Sequence, residues 1–430
     1  MSANKKLLIT SFALFSLFFG AGNLILPPYL GFISGERWIW ITIGFAMTAV
    51  VVPIFGIIAH SKVQGTLFDL GKKVSPLFSL LYCILIYFIA LALPSPRTAS
   101  VTHEIAISPF FGTSPLLTSA IYFGLVLLFT LKRSSILDII GKYLTPLIIL
   151  LLLLIIFNSL FSTHLLGEAL EDTNIFEVLA GGVLEGYQTF DAIGAVVVGA
   201  VIIVSINLKG ETSFEEKRKL IAKSGIIAGC GLLFIYAGLI YSGFIFQSHF
   251  EQDISRTELL TSISKSTLGS MGNSVLSVLV GLACFTTAVG IVTGSADYFR
   301  SLFKDSQTAY VATAIIGCLL GVVMGSYNVD FIINLAIPTL MFIYPLTIVL
   351  IFLNVTPSSF TTPFVFRAVV LTAFVFSIPD FMQSFIASDY LAPLTLYIPL
   401  ADKGLGWLIP SFIVFMVTYS MERRRIKRHS

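Results

Sequence analysis

Charge is scarce in this sequence. Asp, Glu, Lys and Arg together make up 11% of the 430 residues, less than half the share in soluble domains, which is about 25%. Chemistry-bearing residues are also few. The cysteines, Cys83, Cys230, Cys284 and Cys318, all lie in apolar runs without metal or disulfide spacing, and read as small buried hydrophobes. The histidines read as peripheral. His103, His164 and His249 fall in outer loops, His60 at an inner helix end and His429 in the tail. No His-Glu-x-x-His occurs, which argues against metal-dependent intramembrane hydrolysis. No filter loop or ring of charges points to a channel, and no long soluble stretch points to a sensor. A net charge of +3 says little about partners, and no nucleic-acid partner is expected.

What the sequence has is apolar length. It is 56% hydrophobic, with a mean hydropathy of +0.93, so the bilayer is the partner its composition names. The expectation is an all-α polytopic membrane protein forming one membrane domain over residues 1–430. A span needs about 20 predominantly apolar residues. The runs give twelve: 7–30, 38–59, 76–96, 115–131, 136–158, 176–206, 221–246, 273–299, 308–326, 329–353, 364–386 and 400–420. The first begins after Lys5-Lys6 like a signal peptide, but it is too long and lacks a clear cleavage signature, so it reads as a retained helix.

An even count puts both termini on one side. With both ends inside, 21 of the 26 Lys and Arg are internal, leaving Arg37, Arg97, Arg256, Lys265 and Lys403 outside. Cytoplasmic loops carry the basic excess, so both termini are expected in the cytoplasm of a cell-membrane protein. Glu168, Glu171 and Asp172 fit an external loop before the sixth span, and residues 421–430 form a basic cytoplasmic tail.

The first span is broken. Phe19-Gly20-Ala21-Gly22-Asn23-Leu24-Ile25-Leu26-Pro27-Pro28 lies near its middle. At bilayer depth, irregular backbone survives only when buried in protein or lining a cavity. Asn23 reads as an N-cap of an outer half-helix with Pro27 in its first turn. The sixth span repeats the anomaly, with Gly181, Gly182, Gly186 and Gly194 around two ionisable residues, Glu185 and Asp191. The two broken spans, the first and the sixth, lie five apart and cross in opposite directions. That is the plan of a 5+5 inverted repeat whose first helices are discontinuous, here 7–160 and 176–354, with two additional helices at 364–420. On the eighth span, Thr286-Thr287 places adjacent hydroxyls inside an apolar helix, a donor type suited to a hard monovalent cation. Two other readings stay open: glycines that simply let helices pack closely, and threonines that bond the carbonyl one turn back.

Three motifs together resemble the branched-chain amino acid:cation symporters of the BrnQ type. They are Ser16-Leu-Phe-Phe-Gly-Ala-Gly-Asn-Leu-Ile-Leu-Pro-Pro, Pro96-Arg97-Thr98-Ala99 and Glu185-Gly-Tyr-Gln-Thr-Phe-Asp-Ala, and the likeness extends over essentially the whole chain. Phe190 departs from the methionine expected before Asp191. The resemblance implies the LeuT-like fold and uptake of leucine, isoleucine and valine driven by sodium, with no cofactor beyond that coupling ion. For such a substrate, the N–H groups of Ala21, Gly22, Asn23 and Leu24 suit the carboxylate. Carbonyls around Gly186, Tyr187 and Thr189 suit the ammonium, and Tyr187 lines the pocket or bonds the carboxylate. Asp191 and Glu185 contact the ammonium, help bind sodium, carry a proton, or brace the backbone. The resemblance further implies a sodium site from the Ser16, Phe19 and Ala283 carbonyls and the Thr286 and Thr287 hydroxyls. Arg97, at the expected outer end of the third span, reads either as an outer gate or as a snorkelling side chain. The alternatives are another amino acid, or proton coupling.

Overall fold

A computed structural model describes residues 3–132, 140–161, 174–208, 213–358, 360–386, 391 and 395–429. Residues 136–139 of the fifth predicted span and the residues Arg133, His164, Glu168, Glu171, Asp172 and Lys209 lie outside the described residues. Among those described there are helices and turns and no strand.

The first predicted span is two helices, α1 (Ala3–Phe18) and α2 (Ala21–Ser34). A tight turn at Gly35–Arg37 leads into α3 (Trp38–Ala46), which continues through a wide turn at Met47–Val51 into α4 (Val52–Val63). Next come α5 (Pro76–Ala92), α6 (Pro94–Val101), α7 (Pro115–Leu131) and α8 (Thr145–Leu160). The sixth span is again two helices, α9 (Ile175–Tyr187) and α10 (Asp191–Leu208). The rest are α11 (Phe214–Ile245), α12 (Arg256–Leu268), α13 (Gly272–Leu302), α14 (Gln307–Met324), α15 (Val329–Val355), α16 (Pro363–Met382) and α17 (Leu408–His429). Among the described residues, eight continuous helical stretches are long and apolar enough to cross a membrane, and α7 is a shorter apolar helix.

Four expectations change. The third span does not end at Pro96. A proline fits the first turn of a helix, where its N–H would have no partner, so Pro94 starts α6, and helix continues through Thr102–Ile107. His103 therefore sits within helix, where it bonds Thr118 Oγ1 at 2.9 Å. The supposed loop after α11 contains α12, opened by a capping box between Ser255 and Glu258 and docked through Leu259, Leu260 and Ile263. The last span starts later than expected, at Leu408. Cys230 is exposed on α11, whereas the other three cysteines are buried.

Lipid tails are as apolar as leucine, so helices in a bilayer associate by close packing of small residues. Two helix pairs do this at backbone contact. A Cβ on Gly31 of α2 would lie 1.7 Å from the Ile240 carbonyl oxygen of α11, and one on Gly243 of α11 would lie 1.8 Å from that of Pro28. On the other pair, a Cβ on Gly44 of α3 would lie 2.1 Å from the Leu179 oxygen of α9, and one on Gly182 would lie 2.5 Å from that of Ile41. The half-helices α2 and α9 are thus each pressed against one neighbour, which fixes where the two breaks meet.

Candidate functional site

The first break is set by Gly20. α1 closes with Phe19 N–H donating to the Phe15 carbonyl at 2.8 Å. Gly20 is then extended (φ −114°, ψ −158°) and caps α2. A side chain there would meet Thr287, since a Cβ would lie 2.9 Å from both Oγ1 and Cγ2. Asn23 is therefore not the N-cap. It sits in the third helical position, and its Oδ1 accepts the Gly20 N–H at 3.1 Å. Because the helix begins three residues before the expected start, Pro27 and Pro28 fall beyond the first turn. There they deprive the Asn23 and Leu24 carbonyls of their usual donors.

The second break runs from Gln188 to Phe190. The N–H groups of Gln188, Thr189 and Phe190 turn back to the carbonyls of Glu185 (3.0 Å), Gly186 (3.3 Å) and Tyr187 (3.0 Å). The Gly186 carbonyl also accepts Thr189 Oγ1 at 2.8 Å. Of the carbonyls expected to be free for an ammonium, those of Gly186 and Tyr187 are therefore already engaged. Phe190 takes a left-handed conformation (φ +61°), which costs a non-glycine residue roughly 1–2 kcal/mol. The start of α10 is closed by side chains: Asp191 N–H donates to Thr189 Oγ1 at 3.2 Å and Ala192 N–H to the Tyr344 hydroxyl at 3.3 Å.

The two breaks touch through side chains. Asn23 Nδ2 donates to Asp191 Oδ2 at 2.7 Å, and the Tyr236 hydroxyl donates to the same oxygen at 3.1 Å. Asn23 Nδ2 also donates to the Tyr236 hydroxyl, which closes a triangle. Asp191 is 2% exposed. A carboxylate at such a place demands either partners or neutralisation. Tyr236 sits among apolar α11 residues, and no sequence signal marks it. Its ring packs on Phe19 and Phe45, with centroids at 6.0 and 5.3 Å.

Arg97 is neither a gate at a helix end nor a snorkelling side chain. It is 2% exposed. Its Nη2 donates to the Gln188 carbonyl at 2.6 Å, and its guanidinium carbon lies 5.2 Å from the centroid of the Phe190 ring. Gly22 makes room for it, since a Cβ at that position would lie 2.4 Å from Nη2. Glu185 stands apart from the triangle, pairing with Arg256 of α12 at 3.2 Å. Arg256 in turn covers the Tyr29 ring at 4.8 Å. Tyr187 stacks on Tyr344 at 4.4 Å, and Gly186 packs on α3–α4, where a Cβ would lie 2.0 Å from Thr48 Oγ1.

A second cluster joins the end of α1 to α13. Ser16 Oγ donates to Thr286 Oγ1 at 2.9 Å. Thr286 Oγ1 lies 3.1 Å from the Ser16 carbonyl and 2.9 Å from that of Ala283. Thr287 Oγ1 lies 3.4 Å from the carbonyls of both Ser16 and Leu17. Ser16, Ala283, Thr286 and Thr287 are thus together, and Leu17 joins them. No such contact to Phe19 occurs among the described residues. The donors are uncharged oxygens, a set that fits a hard monovalent cation and not a soft transition metal. A cavity of about 30 Å³ connects this cluster with the triangle. Leu17, Thr287, Thr189, Phe190 and Asp191 are among its lining residues, and it has room for one or two waters.

The arrangement can be set beside known proteins. The profile of the family described as "Branched-chain amino acid transport protein" matches residues 3–425. The chain is 32% identical to the branched-chain amino acid permease BraB of Bacillus subtilis, over 96% of this chain and 95% of that protein. It is 31% identical to the branched-chain amino acid transport system 2 carrier protein of Pseudomonas aeruginosa, over 97% and 96%. Among solved structures it is similar to a Na⁺-coupled sialic acid symporter in a substrate-bound outward-open state (TM-score 0.60, 14% identity, 96% of this chain and 90% of that one). It is also similar to MhsT in complex with L-phenylalanine (TM-score 0.53, 16% identity, 96% and 97%). These likenesses show a LeuT-type transporter fold. The relatives are permeases and carriers, not enzymes, and the apolar helices make this a multi-pass membrane protein. The chain belongs to the branched-chain amino acid transport protein family.

Proposed function

We propose that this protein is a sodium-driven symporter that takes up leucine, isoleucine and valine across the cell membrane by alternating access. The observation that carries the reading is the meeting of two helix breaks, at Gly20 and at Gln188–Phe190, beside a cluster of neutral oxygens. Broken helices that face each other in two halves of a bundle are the usual construction of a midplane transport site. In this reading the chain has twelve spans in a 5+5 inverted repeat plus two helices, with both termini cytoplasmic. The close contacts of the first span with the seventh (α2 on α11) and of the sixth span with the second (α9 on α3) support that repeat at the level of whole spans.

The substrate carboxylate meets the N–H groups of Ala21, Gly22 and Asn23; with Gly20 as the cap, the Leu24 N–H expected to join them is the fourth in the helix and bonds within α2. Asp191 supplies the negative charge for the ammonium. Gly186, Tyr187 and Thr189 shape the second break, and Glu185 acts from its ion pair above. Sodium is held by Ser16, Ala283, Thr286 and Thr287, with the Phe19 carbonyl completing the set as the break adjusts. Ion binding draws α1 to α13, which ties the sodium site to the first break. A second reading, proton coupling, rests on the buried carboxylate of Asp191 in the same cavity.

Uptake of labelled leucine into vesicles containing the protein decides between these readings. An inward sodium gradient should drive accumulation, and replacing sodium with choline at constant pH should abolish it. Equal uptake in choline would overturn sodium coupling, and competition by each other amino acid would define the side-chain range.

A further inference from the structure

The guanidinium of Arg97 is buried in the middle of the bundle without an acidic partner. It carries five N–H donors, and the acceptor it has is a neutral one, the Gln188 carbonyl at 2.6 Å. Nε and Nη1 have no partner among the described residues. The two nearby carboxylates are committed elsewhere, Glu185 to Arg256 and Asp191 to Asn23 and Tyr236. A charge so placed costs several kcal/mol, and a neutral side chain would serve the Gln188 carbonyl at less cost.

The position of the group gives its use. Nη2 lies where a Cβ of Gly22 would be, 2.4 Å away, and the same Cβ would lie 3.1 Å from the Gln188 carbonyl oxygen. Gly22 is the second residue of α2, whose first N–H groups have no partners within the helix. A helix N-terminus with its partial positive charge and a fully charged planar fork thus converge on one point. Both favour an anion, and the fork matches a carboxylate with two parallel hydrogen bonds.

We propose that Arg97 and the N–H groups at the start of α2 form one anion site that takes the α-carboxylate of the transported amino acid, with Gly22 kept bare so that both can reach it. This rests on the amino-acid reading above and adds the group that pairs with the substrate's charge. Binding exchanges the Gln188 carbonyl for the carboxylate on the guanidinium. The substrate thereby acts on the second break as well as the first, and the αL turn at Phe190, stacked on Arg97, is freed to move.

The test uses the purified full-length protein in detergent with sodium, and reads thermal stabilisation by leucine and by leucinol, which lacks the carboxylate. The wild type should be stabilised by leucine and not by leucinol. In Arg97→Gln the leucine concentration needed should rise about 30-fold, and the preference over leucinol should fall toward one. Its ligand-free melting temperature should not fall, because an uncompensated cation has been removed. An unchanged leucine-to-leucinol ratio in Arg97→Gln would overturn the proposal. If that variant does not fold, Arg97→Lys decides: a reduced ratio supports the site and an unchanged one sinks it. If another amino acid stabilises the wild type instead, the branched-chain reading fails, and the same comparison with that acid and its alcohol still tests Arg97. If none of the amino acids stabilises it, both proposals fall.

Discussion

Asn23 Nδ2 and Asp191 Oδ2 lie 2.7 Å apart although 168 residues separate them in the chain. The contact joins the first turn of α2 to the first residue of α10, so one hydrogen bond crosses both helix breaks. Tyr236 of α11 closes the triangle from a third helix. A change at Asp191 is therefore passed directly to the half-helix that carries Gly22.

The energetics of that contact can be measured. Asn23→Ala leaves a buried carboxylate with one donor fewer. Losing a hydrogen bond to a charged group costs about 1.5–3 kcal/mol, so the melting temperature should fall clearly. Asp191→Asn removes the charge and should cost less stability while abolishing transport. Combining the two should recover part of the Asn23→Ala loss, with a coupling energy of about 1–3 kcal/mol. Strict additivity in a double-mutant cycle would show that the two residues do not act together.

The oxygen cluster leads to a second expectation. Thr287 Oγ1 touches the Ser16 and Leu17 carbonyls and also lines the cavity shared with Asp191. Thr287→Ala should raise the sodium concentration for half-maximal leucine uptake by about ten-fold, roughly 1.4 kcal/mol, with little change in expression. Thr287→Ser keeps the hydroxyl and should restore most of the sodium affinity. An unchanged sodium dependence in the alanine variant would remove Thr287 from the site.

Much of this site is legible in the sequence, for identifiable reasons. Gly20 and the region before Asp191 stand out because polar, glycine-rich backbone is costly at bilayer depth. Thr286-Thr287 stand out because two hydroxyls interrupt an apolar run. Arg97 is placed wrongly by its sequence context because Pro94 and Pro96 look like the end of a helix, when they open one. α12 is hidden because its apolar face is short and its sequence is otherwise polar. Tyr236 and Tyr344 carry no signal, since an aromatic hydroxyl on an apolar helix looks the same whether it faces a carboxylate or lipid. Asn23 looks like a cap because its residue type suits one, whereas the turn that actually starts the helix depends on Gly20 lying against Thr287.

α12 bridges the half-helices α9 and α2. Arg256 reaches from it to Glu185 on α9 at 3.2 Å and to the Tyr29 ring on α2. The side chains are 18% and 27% exposed, so the pair is worth about 1 kcal/mol, equivalent to a five-fold shift in an open–closed equilibrium. Arg256→Gln should accordingly speed hydrogen exchange at the backbone amides of α2 and α9 by about five-fold. Exchanging the two charges, with Arg256→Glu and Glu185→Arg together, should slow it again. Unchanged exchange in Arg256→Gln would mean that the pair closes nothing.

The last expectation concerns how the half-helices are held. Gly44 and Gly181 look alike in sequence, each a glycine within an apolar run, but their surroundings differ. A Cβ on Gly44 would lie 2.1 Å from the Leu179 carbonyl oxygen, whereas one on Gly181 would meet nothing within 4 Å. Gly44→Ala must therefore push α3 away from α9 and displace the second break, because backbone atoms cannot yield as a flexible side chain can. Gly181→Ala only removes the flexibility of a helical glycine, which favours the folded state by about 1 kcal/mol. The first variant should lose folded protein and leucine uptake together. The second should melt no lower than the wild type and transport normally. Equal tolerance of both alanines would show that the contact between α3 and α9 does not position the site.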